Sequence, residues 1–84
     1  MVQREVTLSV LMHARPAALL AAQAAKSKST VTILFNDRTI NVKSILHLLG
    51  GGLCKGAQLV VAVDGTDEQE TLEELCRLID DLPE

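Results

Sequence analysis

The stretch AQLVVAVDG, residues 57–65, constrains the fold more than any other part of the chain. From Leu59 to Val63 no polar residue interrupts it. Apolar side chains therefore fall on both parities of a strand, and both of its faces need cover. A segment of this kind belongs inside a sheet rather than at its edge.

The remaining elements arrange themselves around that strand. Glu5 to Val10 alternates loosely, with Val6, Leu8 and Val10 on one side and Thr7 and Ser9 on the other, which predicts a half-buried strand. Pro16 suits the first turn of a helix, where an N–H has no intrahelical partner. That helix is expected from about Arg15 to Lys26, burying Ala17, Leu20, Ala21 and Ala24, with KSKS at its end. TVTILF and RTINV are β-branched strands joined through Asn36-Asp37, which predicts a hairpin. Ser44 fits the N-cap of a short helix, ILHLL, that Gly50-Gly51-Gly52 must stop. Thr66 and Gln69 have capping-box spacing before a last helix whose Leu72, Leu75, Cys76 and Ile79 share one face. The predicted order is β-α-β-β-α-β-α. This is an α+β arrangement, a four-stranded antiparallel or mixed sheet covered on one side by three helices.

At 84 residues the chain, 1–84, is read as one domain with one modest core. That core must be aliphatic, since Phe35 is the sole aromatic. One aromatic residue and a net charge of −3 argue against nucleic-acid binding, which calls for stacking platforms and an excess of cations. The N-terminal MVQREVTLSV has no apolar run of signal-peptide type, and no stretch reaches the roughly 20 apolar residues of a membrane span. Cys54 and Cys76 lack CxxC spacing and read as two free thiols, so the cytoplasm is the default expectation. Nothing in the sequence resembles a nucleotide cradle, a carboxylate pair or a metal cluster, and no cofactor is expected.

Chemistry concentrates in LMHARPAALLAAQAA, residues 11–25. Imidazole suits nucleophilic work near neutral pH. A helix N-terminus offers unpaired amides and the positive end of a dipole. His13 placed there can take a phosphoryl group whose oxygens meet the amides of Ala14 and Arg15, with the Arg15 guanidinium adding a charge-assisted contact. Small residues at Ala14, Ala17 and Ala18 leave the approach clear for a donor and an acceptor. The phosphoryl group must then arrive from one protein and leave to another.

HARPA, His13 to Ala17, resembles the active-site motif of HPr, the histidine-containing phosphocarrier family of the bacterial phosphoenolpyruvate:sugar phosphotransferase system. NVKSIL, Asn41 to Leu46, resembles that family's second signature, and AVDGTDEQETLEEL its last strand and helix. The likeness spans essentially the whole chain and implies the HPr open-faced β-sandwich. It also implies phosphorylation of His13 at Nδ1, with Arg15 as phosphate partner, Enzyme I as donor and Enzyme II A-domains as acceptors. Such a protein is a stoichiometric carrier and not an enzyme.

Ser44 takes the place of the serine that a dedicated HPr kinase/phosphorylase modifies in many relatives. New charge there, beside Leu46 and Leu49, would spoil an apolar docking patch for Enzyme I that also includes Ala18. It could equally create a surface for a transcriptional regulator, so a regulatory HPr-like paralogue is the alternative. A plain N-cap worth about 1 kcal/mol is the simpler role for Ser44.

The chain departs from the family in two places. Leu11-Met12 precede the histidine where a glycine is usual, at a cost of order 1 kcal/mol if the backbone angles are unchanged. His47 stands where the family often has glycine. It reads as a surface residue on the docking helix or as a second titratable group near His13.

Overall fold

The computed structural model describes residues 1–82. In chain order the elements are β1 (Val2–Thr7), α1 (Ala14–Ala25), β2 (Thr30–Phe35), β3 (Arg38–Asn41), α2 (Ile45–Gly50), β4 (Gln58–Asp64) and α3 (Glu68–Asp80). They build one four-stranded sheet in the order β1-β4-β2-β3, every neighbouring pair antiparallel. The doubly apolar β4 lies between β1 and β2, as its sequence requires. Its two sides divide cleanly. Leu59, Val61 and Val63 enter the core beneath the helices, while Val60 and Ala62 belong to the opposite face with Thr32 and Leu34.

Two crossovers share a plan. The chain leaves β1 through α1 to reach β2, and leaves β3 through α2 to reach β4, each time skipping one place in the sheet. α1 packs on both α2 and α3, and α3 also covers β1 and β4. The core is aliphatic throughout, with Leu8, Leu20, Ile33, Leu48, Leu59, Leu75 and Ile79 all fully buried. No helix among the described residues is long and apolar enough to cross a membrane.

Local chemistry explains most element ends. Asn36 and Asp37 both take positive φ, 50° and 62°, the geometry of the two-residue turn that matches the twist of paired strands. Ser44 caps α2, its Oγ accepting from the His47 N–H at 3.3 Å. Gly51 follows as C-cap, with its missing side chain close against Ile40. α1 begins and ends one residue earlier than its sequence pattern predicts.

Two expectations need correction. The first strand spans Val2–Thr7 rather than residues 5–10. Its ladder runs from the Val2–Val63 pair to the Thr7–Gln58 pair and stops where β4 begins. Leu8 continues only as a bridge, its N–H donating to the Ala57 carbonyl and its carbonyl accepting from Gly56, both at 2.8 Å. The capping box at Thr66 and Gln69 does not form. α3 starts at Glu68 with Asp67 in the N-cap position and no side-chain cap. The Asp67 carboxylate is engaged elsewhere, Glu68 Oε1 accepts the Gly65 N–H at 3.2 Å, and Gln69 reaches forward to Glu73.

That carboxylate ties the start of α3 to the α1–β2 connection. Ser27 Oγ donates to Asp67 Oδ1 at 2.9 Å, the Lys28 N–H donates to Oδ2 at 3.0 Å, and Ser29 Oγ adds a close contact to Oδ1. Thr71 Oγ1 and the Ser29 N–H both donate to Ser27 Oγ, which satisfies the buried hydroxyls.

Candidate functional site

The approach to His13 is set by an alternation that outlasts the strand. Leu8, Val10 and Met12 are buried, while Ser9, Leu11 and His13 are exposed. Three anchors in the core, with exposed residues between them, leave the imidazole on the outward side. Leu11 does not take positive φ, so it avoids the strain that replacing a glycine would bring. Met12 holds the loop instead.

His13 occupies the N-cap position of α1 with extended backbone, φ −127° and ψ −170°, and its side chain makes no capping hydrogen bond. The first intrahelical bond runs from the Ala17 N–H to the His13 carbonyl at 3.0 Å. Ala14 and Arg15 precede it, so helical geometry gives their amides no acceptor, and Pro16 has no N–H to satisfy. The helix thus presents two free donors directly after an exposed imidazole that caps nothing. Arg15 is exposed and makes no ion pair among the described residues. α1 has no acidic residue in its first turn, leaving the positive end of its dipole uncompensated there.

The alanines divide into two groups. Ala14 and Ala18 are exposed and leave open space beside the site. Ala17 is fully buried and belongs to the core with Leu20, Ala21 and Ala24, so it plays no part in access.

α1 and α2, which pack on each other, also carry exposed apolar side chains. Leu46 is 81% exposed and Leu49 is 42% exposed. Sequence reasoning named both but missed Leu11, Leu19 and Ile45, which are also exposed. The helical phase of α2 could have found Ile45, since four positions separate it from Leu49.

Ser44 is half-buried at the mouth of α2. His47 turns toward β3, its Nδ1 accepting the Asn41 N–H at 3.2 Å. Asn41 also receives the Lys43 N–H on its side chain and the Ser44 N–H on its carbonyl, both at 3.1 Å. Lys43 Nζ donates to the Ser27 carbonyl at 3.1 Å and fastens this turn to the end of α1. Cys76 lies in the core face of α3, where burial pushes its thiol up, while Cys54 is exposed; both are unpaired. No group of three or more metal-ligating side chains occurs among the described residues.

Comparison with known proteins agrees with this fold. A family model described as the PTS HPr component phosphorylation site matches residues 2–81. The phosphocarrier protein HPr of Mycoplasma capricolum is 34% identical over 68 residues, covering 81% of this chain and 76% of the relative. The crystal structure of HPr from Thermoanaerobacter tengcongensis superposes with a TM-score of 0.91 at 29% identity, covering 95% of this chain and 92% of that one. Crh, the catabolite repression protein of Bacillus subtilis, superposes with a TM-score of 0.80 at 35% identity, covering 96% and 95%. The family model over residues 2–81, with relatives of this identity and coverage on the same sheet and order of elements, places the chain in the HPr family of phosphocarrier proteins.

Proposed function

We propose that this chain accepts a phosphoryl group on Nδ1 of His13 from phospho-Enzyme I and passes it to Enzyme II A-domains in sugar uptake. The observation that carries the reading is the exposed His13 ring beside the unpartnered amides of Ala14 and Arg15. In the transfer, a nitrogen lone pair attacks phosphorus, the N–P bond forms, and the donor's bond to phosphorus breaks. The two amides and the Arg15 guanidinium receive the phosphoryl oxygens. Their grip must be limited. Each 1.4 kcal/mol or so of extra stabilisation on His13 would slow onward transfer about tenfold, and an exposed site with few contacts suits a group held briefly.

Incubation with Enzyme I and phosphoenolpyruvate is expected to label one acid-labile, base-stable site, and His13→Ala to abolish the label. An unlabelled wild-type chain, offered its own Enzyme I, overturns the reading.

A second reading, regulation through Ser44, draws on the likeness to Crh and on the half-buried N-cap hydroxyl. In it an HPr kinase/phosphorylase modifies Ser44, and the modified surface beside Leu46 and Leu49 serves a transcriptional regulator instead of Enzyme I. Kinase-dependent label on Ser44 with none on His13 would put this reading first.

A further inference from the structure

Between β3 and α2 runs a groove of about 380 Å³. Arg38, Thr39 and Ile40 form one wall, and Leu46, His47, Gly50 and Gly51 the other. No carboxylate lines it. Arg38 is exposed and makes no ion pair among the described residues.

His47 supplies a second donor. Its Nδ1 is occupied as acceptor of the Asn41 N–H, which assigns the proton of the neutral ring to Nε2. The same bond covers the outward amide at the end of β3, so a partner strand cannot use that amide to extend the sheet. That amide is thus closed to a partner, and the Arg38 and His47 side chains supply the polar contacts. The guanidinium and the Nε2–H offer hydrogen bonds, while Leu46 offers apolar contact.

The glycines keep the groove open. A Cβ on Gly50 would meet nothing within 4 Å, and one on Gly51 would lie 2.5 Å from Ile40 Cδ1. Leu46 belongs at once to this groove and to the exposed apolar surface of α2. An occupant of the groove is thus part of whatever docks on α2.

We infer that the groove receives an acidic side chain, flanked by an apolar one, from the protein that donates the phosphoryl group, with Arg38 as its anchor. Charge complementarity decides the occupant, because two donors on an apolar floor match a carboxylate beside a hydrophobic side chain. The inference rests on the carrier reading above and deepens it.

The experiment measures phosphoryl transfer from phospho-Enzyme I of the same organism to the wild type, Arg38→Glu, Arg38→Lys and His47→Gly, over a range of carrier concentrations. Arg38→Glu is expected to raise KM tenfold or more and His47→Gly about threefold, with kcat within twofold, since His13 and Arg15 are untouched. Arg38→Lys should recover most of the loss. Circular dichroism confirms that each variant is folded, and a structural defect would lower kcat along with binding. A labelled wild type with KM unchanged within twofold in Arg38→Glu overturns the groove alone. No label on the wild type overturns the carrier reading and the groove with it.

Discussion

Leu46 and Leu48 stand two positions apart on one short helix and face opposite environments. Leu48 is fully buried beneath α2, and Leu46 is the most exposed large hydrophobic residue of the chain. Leu48→Ala should therefore lose about 2–5 kcal/mol of stability, through lost burial and the cavity left behind. Leu46→Ala should stay within about 0.5 kcal/mol of the wild type while slowing transfer from Enzyme I. Urea titration of both variants separates the roles, and equal losses would remove Leu46 from the docking surface. Gly65 is limited by space rather than by exposure. A Cβ there would lie 2.6 Å from the Ser29 Cα, which is backbone and cannot step aside. Gly65→Ala should destabilise by about 1–3 kcal/mol in thermal unfolding, with Ser29 pushed off the Asp67 carboxylate.

At the level of elements, Asp67 joins the α1–β2 connection to α3, and the bond has a pH signature. The Ser29 hydroxyl, with the Lys28 N–H next in weight, holds the Asp67 carboxyl well below the ordinary carboxylate value of 3.8. The unfolded chain takes up a proton near that ordinary value and the folded chain resists it. The stability from this group is therefore complete above about pH 4 and is lost as pH falls toward the folded value. Melting temperature should drop more steeply in the wild type than in Asp67→Asn on acidification from about pH 5 to pH 2. Parallel slopes would deny Asp67 this role. This joint also marks where sequence reasoning ended. The hairpin turn, the Ser44 cap, the buried stripes of α1 and α3 and the interior position of β4 all follow from neighbours a few residues apart. The bond between Ser27–Ser29 and Asp67 joins segments about forty positions apart, and nothing local marks it. Thr66 looked like a cap because its spacing was right, but the tertiary demand on Asp67 decided the helix start. The ends of the first strand escape local patterning for a similar reason, since they depend on where β4 begins. His13 and Arg15 were readable because one short motif carries them. The Arg38–His47 groove was not, because it exists only where the edge of β3 meets α2.

Across the whole molecule charge is unevenly divided. Of the eight Lys and Arg residues, all but Arg4 and Arg77 lie between Arg15 and Lys55, on or near α1, β3 and α2. Of the eleven Asp and Glu residues, all but Glu5, Asp37 and Glu84 lie between Asp64 and Asp81. A chain with net charge −3 thus gathers most of its acids on and around α3 and most of its bases earlier in the sequence, with Lys26 lying beside Glu70 and Glu74. The exposed cations Arg15 and Arg38 favour encounter with an acidic partner, and ions screen that attraction. Transfer from Enzyme I at subsaturating carrier should slow several-fold between about 0.05 and 0.5 M salt, a rate insensitive to salt arguing against electrostatic steering. The order of strands has a consequence for birth rather than for function. β1 and β2 are not neighbours in the sheet; the strand that joins them is the last one made. While a ribosome still holds residues 58–64, the nascent chain has a hairpin, two helices and an N-terminal strand with nothing to pair with. The sheet closes in a single late event, and a message cut short before that strand would yield fragments rather than a smaller version of the protein.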